Sequence, residues 1–277
     1  MKRFSLELLY HIVGIGSASG LLFRDGSIFV ASDNAGYLYE FHTADQKLDK
    51  TKLLERETLE TIPKKQKPDF EALAEKDGKL HLFGSGSTEK RNVAAIVSVE
   101  TKKVAHQDLS DLYADMRKVS GISTDNFNLE GAFASADAWF FIQRGNGNGA
   151  NNGIFKVVGS WDKKPRINYF PIELPKLKHV TASFTDAILV ANEIWFLATA
   201  EDTNSTYDDG EILGSLIGKM DFETLKITFT QQITEKHKFE GLTLYAKSKS
   251  EISFLLCEDN DTDGLEADIY QLTLPLP

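Results

Sequence analysis

Short apolar segments alternate with polar turns along the whole chain, and this pattern occurs five times. Each unit opens with an apolar segment, passes through a tight polar turn such as RDGS or KDGK, and continues into an apolar run such as IFVA or LHLFG. A longer polar loop then leads to a third apolar segment. Because Asp-Gly between two β-forming runs is typical of a hairpin, the pattern predicts antiparallel strands within each unit.

One anchor residue marks the start of each unit. The anchors lie 52, 59, 56 and 54 residues apart, so a period of about 55 residues divides the 277-residue chain into five units. They are Ser19, Glu71, Glu130, Asp186 and Glu240. A fourth strand precedes most anchors, as in KITFTQQIT and RINYFPIEL. Four strands per unit at such a period indicate a β-propeller.

We therefore predict an all-β fold, with residues 1–277 forming one five-bladed β-propeller domain of four-stranded blades; six blades fit the period less well. The fifth unit ends after three strands, so the N-terminal segment RFSLELLYHI is expected to complete the last blade and close the ring. The segment QDLSDLYADMRKV has apolar residues at helical spacing and predicts a short helix before blade three, with Asp108 as N-cap.

Composition limits the partners that we expect. The formal net charge of −10 argues against nucleic acid or an anionic membrane, and no apolar window is long enough to span a bilayer. Glu7 and His11 interrupt the apolar stretch that a secretory signal needs, and the single Cys257 suits a reducing compartment. We expect a cytoplasmic protein, with a secreted or periplasmic protein as the alternative; the oligomeric state is not indicated.

The channel mouth is the predicted ligand face. In a four-stranded blade, the loop between the second and third strands lies on the same face as the start of the innermost strand. These loops are long and polar, so they and the anchors are expected to meet there. Four acidic anchors would repel one another. A bound Ca²⁺, protonation of catalytic carboxyls, or backbone hydrogen bonds would each relieve this repulsion.

A second acidic feature is the segment DNDTDG. Asp259, Asp261 and Asp263, followed by Gly264, match the first half of a calcium loop. Tyr270 stands where that loop has its bidentate glutamate. A solvated acidic hairpin is the alternative interpretation.

Basic residues are few in the loops of this face. Lys90 and Arg91 lie in the loop of blade two, and Arg144 follows the second strand of blade three. Arginine suits the bidentate binding of a carboxylate or phosphate, so Arg144 is a candidate for holding an anionic substrate. Neutralising the nearby glutamates is its alternative role. Ser19 is the one uncharged anchor and leaves a gap for a substrate or water.

Three units begin with the tripeptides FEA, LEG and FEG, which contain Glu71, Glu130 and Glu240. These tripeptides resemble those at the starts of blades in bacterial β-propeller proteins grouped with phytase-like esterases. They are also similar to those of calcium-dependent lactonase propellers. The resemblance implies metal-assisted hydrolysis of a phosphate or carboxylic ester by carboxylates at the channel mouth. The five-unit pattern also resembles that of the five-bladed glycosidases, which use carboxylates from separate inner strands.

The leading hypothesis is a Ca²⁺-dependent hydrolase of a small anionic ester, either a phosphoester or a lactone, that acts at the channel mouth. Its catalytic residues would be Glu71, Glu130 and Arg144. The predicted metal ligands are Glu71, Glu130, Asp186, Glu240, Asp259, Asp261 and Asp263. The predicted substrate contacts are Ser19, Lys90, Arg91 and Arg144. A non-catalytic ligand- or protein-binding scaffold with structural carboxylates is the alternative, and a glycan-active enzyme is a third.

Overall fold

Five four-stranded antiparallel sheets form the blades of a β-propeller, which confirms the predicted fold class and blade number. The computed structural model describes residues 4–57, 59–145, 149, 151–203, 210–258 and 264–276. The chain runs through the blades in order, and each of the first four blades is a meander of consecutive strands. The innermost strands contact one another around the ring.

The strands are numbered along the chain. Strand β1 (Ser5–Val13) precedes the first blade. The first blade contains β2 (Ala18–Arg24), β3 (Ser27–Ser32), β4 (Tyr37–His42) and β5 (Lys47–Lys52). The second contains β6 (Phe70–Lys76), β7 (Lys79–Gly84), β8 (Val93–Ser98) and β9 (Val104–Asp108). The third contains β10 (Leu129–Ala134), β11 (Ala138–Gln143), β12 (Gly153–Val158) and β13 (Arg166–Pro171).

A two-stranded hairpin, β14 (Lys176–Leu177) and β15 (Val180–Thr181), leads into the fourth blade. That blade contains β16 (Ser183–Val190), β17 (Glu193–Asp202), β18 (Glu211–Asp221) and β19 (Ile227–Thr234). The fifth contains β20 (Phe239–Lys247), β21 (Glu251–Glu258) and β22 (Glu266–Pro275). The described residues also include three 3₁₀ helices, at Glu89–Arg91, Thr124–Asn126 and Trp161–Lys163.

The ring is closed by the N-terminal strand, as predicted. Strand β1 pairs antiparallel with β22, with Ser5 opposite Thr273 and Val13 opposite Glu266. The strand order of the last blade is therefore β1-β22-β21-β20, with β1 outermost. The closing blade thus joins the start of the described chain to its end, and the first and fifth blades then pack as neighbours.

The hydrophobic core lies between the blades. Each pair of neighbouring blades shares one cluster of buried apolar side chains. Aromatic residues such as Phe83 and Phe141 between the second and third blades are completely buried, with ring centroids 4.9 Å apart. Burial of one such side chain stabilises a fold by roughly 1.5–3 kcal/mol. Blade-to-blade packing therefore gives the channel mouth a rigid frame.

The predicted helix before the third blade is α1 (Ser110–Ser120). Tyr113 is buried between blades two and three, and its hydroxyl donates a hydrogen bond to the Gly84 carbonyl at 2.9 Å. The N-cap is Leu109 rather than the predicted Asp108, whose carboxylate instead accepts a hydrogen bond from the backbone N–H of Ser110. None of the described helices combines the length and apolarity of a membrane-spanning segment.

Candidate functional site: the channel mouth

Each of the five innermost strands contains a β-bulge close to its start. The bulged residues are Ser19, Glu71, Glu130, Thr185 and Glu240. A bulge leaves one residue out of the regular pairing and redirects its side chain. These five bulge residues occupy equivalent positions at the start of the central strands, so they mark the channel mouth that the anchors were expected to form.

The register corrects one anchor, because the fourth bulge residue is Thr185 and not Asp186. Asp186 is equivalent to the small residue that follows each of the other bulges. Its carboxylate accepts hydrogen bonds at 2.8 Å from the backbone N–H groups of Ala187 and Leu242. Burial raises the pKa of Asp186. Asp186 therefore joins the fourth blade to the fifth, and both carboxylate oxygens already have backbone donors.

The two bulge residues with hydroxyl groups also join neighbouring blades. Ser19 Oγ donates to the carbonyl of Phe70 at 2.6 Å, and Thr185 Oγ1 donates to the carbonyl of Phe239 at 2.8 Å. In both cases the acceptor directly precedes the bulge residue of the next blade. Ser19 is buried, so the structure places its hydroxyl in a blade-to-blade hydrogen bond at the position where an opening was expected.

Glu130, in the third blade, belongs to a buried ionic network. Its carboxylate accepts a hydrogen bond from Asn128 and lies 3.2 Å from Nη1 of Arg144. Nη2 of Arg144 lies 2.6 Å from the carboxylate of Glu201 in the fourth blade. Glu201 also accepts the backbone N–H of Gly210 at 2.9 Å. Arg144 thus bridges two carboxylates, which is the neutralising role kept as its alternative.

Glu240, in the fifth blade, also has a cationic partner. Nζ of Lys238 lies 3.2 Å from its carboxylate, and both side chains are buried. Lys238 precedes the bulge by two residues, and this is the position that Asn128 occupies in the third blade. The same position therefore supplies a polar partner for the bulge glutamate in both blades.

The second blade has the most elaborate charge cluster of the mouth. Asp69 lies 2.8 Å from Nζ of Lys67 and 2.7 Å from Nη1 of Arg91, and it accepts a hydrogen bond from Ser85 Oγ at 2.6 Å. Lys67 also contacts Asp33 of the first blade. Two cationic side chains therefore neutralise two carboxylates, and these contacts hold all four side chains in place.

Glu71 lies beside this cluster without a partner of its own. Its carboxyl has one oxygen within 4.8 Å of carboxylate oxygens of both Asp33 and Asp69. Within the described part of the chain it makes no side-chain hydrogen bond and no ion pair, unlike Glu130 and Glu240. Burial, and then the negative charges led by Asp69, raise the pKa of Glu71 well above its usual range. The side chain nevertheless keeps some exposure to solvent.

Of the predicted metal ligands, only Glu71 lies in a described carboxylate group compact enough to hold an ion, together with Asp33 and Asp69. Among the described residues, Glu130, Asp186 and Glu240 belong to no such group. Lys67 already contacts both aspartates of the trio, so a positive charge stands where a metal ion would bind. The predicted ligands Asp259, Asp261 and Asp263 lie outside the described residues, and the calcium loop stays a prediction.

The predicted substrate contacts in the loop of blade two differ in exposure. Lys90 is exposed, whereas Arg91 is buried against Asp69. Arg91 also donates a hydrogen bond to Ser87 at 2.7 Å. This loop thus reaches from the solvent to the charge cluster beside Glu71.

Sequence reasoning missed several residues of the mouth. They are Asp33, Lys67, Asp69, Ser85 and Lys238. A pattern of four residues would have found some of them. It consists of a polar residue, an apolar residue, the bulge residue and a small residue, as in DFEA, NLEG and KFEG. The first three positions of this pattern recur in SFTD, which aligns Thr185 with the glutamates and places Asp186 where the other blades have a small residue. Asp33 and Lys67 come from loops and have no repeated pattern.

Comparison with solved structures supports the propeller fold. The glutaminyl cyclase of Myxococcus xanthus has a TM-score of 0.57 at 9% identity, covering 100% of this chain and 99% of that chain. The major allergen Mala s 1 of Malassezia sympodialis has a TM-score of 0.58 at 10% identity, covering 96% of each chain. The PQQ-bound aldose sugar dehydrogenase of Streptomyces coelicolor has a TM-score of 0.51 at 9% identity, covering 99% of each chain.

At these identities the similarity shows the fold alone, although the neighbours include enzymes. No curated protein sequence matches the chain. The expected resemblance to phytase-like esterases holds for the propeller, whereas the family comparison gives no phytase-like family. The family model that matches covers residues 14–274, and the chain therefore belongs to the family of unknown function DUF6929.

Proposed function

We propose that this protein is a hydrolase that acts on a small ester at the channel mouth, with Glu71 as its acid–base group. One observation carries the proposal. Among the described carboxyls of the mouth, Glu71 alone forms no ion pair and accepts no hydrogen bond, and its pKa is raised. A carboxyl in this state is typical of a general acid, because it keeps its proton closer to neutral pH.

The chemistry open to Glu71 is proton transfer. A water molecule would form the new bond to the carbonyl carbon or phosphorus of the ester, and the protonated carboxyl would donate its proton to the leaving oxygen as the bond to that oxygen breaks. The resulting carboxylate would then accept a proton from the water that completes the hydrolysis. Asp69, held by Lys67, Arg91 and Ser85, would supply a fixed acceptor beside the reacting groups. Each step uses only groups of this chain, the ester and water.

Glu130 and Arg144, the other predicted catalytic residues, receive a different role in this proposal. Both are buried, and both terminal nitrogens of Arg144 contact carboxylates. These two ion pairs use one N–H of each terminal nitrogen, so an anionic substrate at Arg144 would compete with Glu130 and Glu201 for its positive charge. We therefore assign Arg144 to holding the third and fourth blades together, and Glu130 to the same network.

Calcium binding is a second candidate function, because Asp33, Asp69 and Glu71 lie close enough to share an ion. Calcium prefers several oxygen ligands, and these three carboxylates would supply them. The residues as arranged do not fit the ion, since Lys67 already neutralises both aspartates. We therefore expect the wild type and Glu71→Gln to show the same difference in melting temperature between Ca²⁺ and EDTA. A rise in Ca²⁺ that disappears in Glu71→Gln would favour the metal, because a ligand of the native state must stabilise it.

The proposal is tested by comparing the wild-type protein with Glu71→Gln on a panel of chromogenic phosphoesters, lactones and carboxylic esters. Glu7→Gln is the matched control, since Glu7 is exposed on the outermost strand β1. Turnover that survives in Glu7→Gln and is lost in Glu71→Gln supports the proposal. Turnover that is unchanged in Glu71→Gln contradicts it. Compounds that bind without turnover would instead support the non-catalytic scaffold.

A further inference from the structure

A cleft of about 330 Å³ lies beside the channel mouth and has a charge opposite to that of the protein as a whole. It is formed by the loop before β6 and the loop between β7 and β8. Its lining consists of Lys64, Lys65, Thr88, Glu89, Lys90 and Arg91. Four of these six residues are basic and one is acidic, whereas the chain has 31 basic and 41 acidic residues. We call this surface the basic cleft.

The two loops of the basic cleft are fixed against each other. Nζ of Lys90 lies 3.3 Å from the carbonyl oxygen of Lys65, and Nη2 of Arg91 lies 3.2 Å from the carbonyl oxygen of Lys64. These contacts hold positive side chains of one loop next to those of the other. Like charges that are held together repel one another, and a bound anion would relieve that repulsion.

The basic cleft has ammonium groups that can receive an anion. Lys65 and Lys90 are exposed, and in the described part of the chain neither forms a salt bridge with a carboxylate. Arg91, in contrast, is buried and contacts Asp69 through Nη1. An anion would therefore be bound by the two lysines, while Arg91 keeps the cleft floor in place and adds its positive charge.

The basic cleft is also connected to the candidate acid–base group. Arg91 contacts Asp69, and carboxylate oxygens of Asp69 and Glu71 lie within 4.8 Å of each other. Arg91 therefore belongs both to the cleft lining and to the charge cluster beside Glu71. A substrate that uses both would carry an anionic group at one end and an ester at the other. Clefts lined by one sign of charge raise the local concentration of an oppositely charged substrate.

We infer that the basic cleft binds the anionic oxygens, phosphate or carboxylate, of a small substrate whose reacting bond lies at Glu71. This inference rests on the proposed function for the reacting end of the molecule. It keeps Lys90, one of the substrate contacts predicted from the sequence, adds Lys65, and replaces Arg144 as the residue that holds the anion.

The test measures binding of inorganic phosphate and of acetate by calorimetry, at an ionic strength kept constant with chloride. The variant is Lys65→Ala/Lys90→Ala, in which only exposed side chains change. Lys103→Ala/Lys249→Ala is the matched control, because it removes the same charge from exposed sites elsewhere. We expect the wild type and the control to bind at least one of the two anions, and the cleft variant to bind it at least about tenfold more weakly.

Phosphate binding without acetate binding would identify a phosphorylated substrate, and the reverse would identify a carboxylate. Equal affinity of the cleft variant and the control would overturn the inference, as would no binding of either anion by the wild type. Glu71→Gln separates this inference from the proposed function. If Glu71→Gln binds the anion and no ester is hydrolysed by any form, the basic cleft stands and the hydrolase proposal fails. If turnover needs Glu71 but the KM of an anionic ester is unchanged in the cleft variant, the cleft inference fails.

Discussion

Arg144 and Glu201 form an ion pair with 2.6 Å between Nη2 and the carboxylate, and this pair joins the third blade to the fourth. The same guanidinium lies 3.2 Å from Glu130, so one cation neutralises two carboxylates. All three side chains are at least nine-tenths buried. A buried charge that loses its partner is costly, whereas an exposed one is not.

Replacing Arg144 by methionine is therefore expected to lower the free energy of unfolding by about 3–5 kcal/mol, because two buried carboxylates would lose their cation. Urea denaturation at neutral pH measures this change. Arg166→Met is the control, since Arg166 is exposed on β13 and its loss should have little effect. Equal stability of the two variants would contradict the assignment of Arg144 as a structural residue.

Asp186→Ala is expected to lower the free energy of unfolding by about 1–3 kcal/mol, because two buried backbone N–H groups would lose their acceptor. One of these groups belongs to Leu242 in the next blade, so the loss should weaken the contact between the fourth and fifth blades. Thermal and urea denaturation measure the effect, with Asp115→Ala on the exposed face of α1 as control. Unchanged stability in Asp186→Ala would count against its role in joining the blades.

Glu71→Gln is expected to have the opposite effect on stability. A carboxyl whose pKa is raised by folding destabilises the native state once it ionises, and Glu71, unlike Asp186, accepts no hydrogen bond that its replacement would break, so the replacement should stabilise the protein. The gain should be absent at low pH, where the carboxyl is protonated in both states. It should grow as the pH rises from the usual carboxyl pKa through the raised pKa of Glu71.

The measurement is urea denaturation of Glu71→Gln and the wild type at several pH values. Glu130→Gln is the comparison, because it weakens an ion pair and should destabilise the fold at neutral pH. A loss of stability in Glu71→Gln that matches the loss in Glu130→Gln would show that the two glutamates have the same structural role.

The sequence predicted the blades well, because the strands, turns and period are local features that repeat along the chain. It misplaced the fourth anchor because Thr185 and Asp186 are adjacent polar residues, and only the blade-to-blade packing distinguishes them. A Cβ on Gly131 would lie 2.7 Å from Oδ1 of Asp186, so the fit of this carboxylate depends on a glycine in another blade. A single repeat unit does not contain that information.

The charge cluster beside Glu71 could not be predicted from the sequence either. Lys67 and Asp33 are 34 residues apart and come from loops of different blades. The pairing of each bulge glutamate depends on such contacts. The sequence could therefore identify a ring of acidic residues but could not distinguish the unpaired Glu71 from the paired Glu130 and Glu240.

His81 is expected to make stability depend on pH in acid. Its ring packs 4.8 Å from that of Trp139, and its Nδ1 is buried without a hydrogen-bond partner in the described structure. Burial lowers the pKa of His81 from 6.5 to about 4. The neutral ring is thus favoured by folding, and the stability that it contributes is present above pH 6.5 and is lost as the pH falls towards 4.

The loss of stability from His81 alone should approach, but not exceed, about 3 kcal/mol, because a tenfold change in proton affinity corresponds to about 1.4 kcal/mol. The measurement compares urea denaturation of the wild type and His81→Phe between pH 7 and pH 4. Other groups titrate equally in both proteins, so the difference between the two curves isolates the histidine. Parallel curves would mean that His81 ionises in the folded protein as readily as in the unfolded one.

The central claim is that Glu71 is an unpaired carboxyl that keeps its proton at pH values above the usual glutamate pKa. The most direct test is a ¹³C NMR titration of the glutamate side-chain carboxyls, with the Glu71 signal assigned by its absence in Glu71→Gln. We predict that the Glu71 signal titrates with a midpoint well above the usual glutamate value of about 4.3. A midpoint at or below that value would contradict the account, because Glu71 would then be an ordinary ionised carboxylate of the mouth.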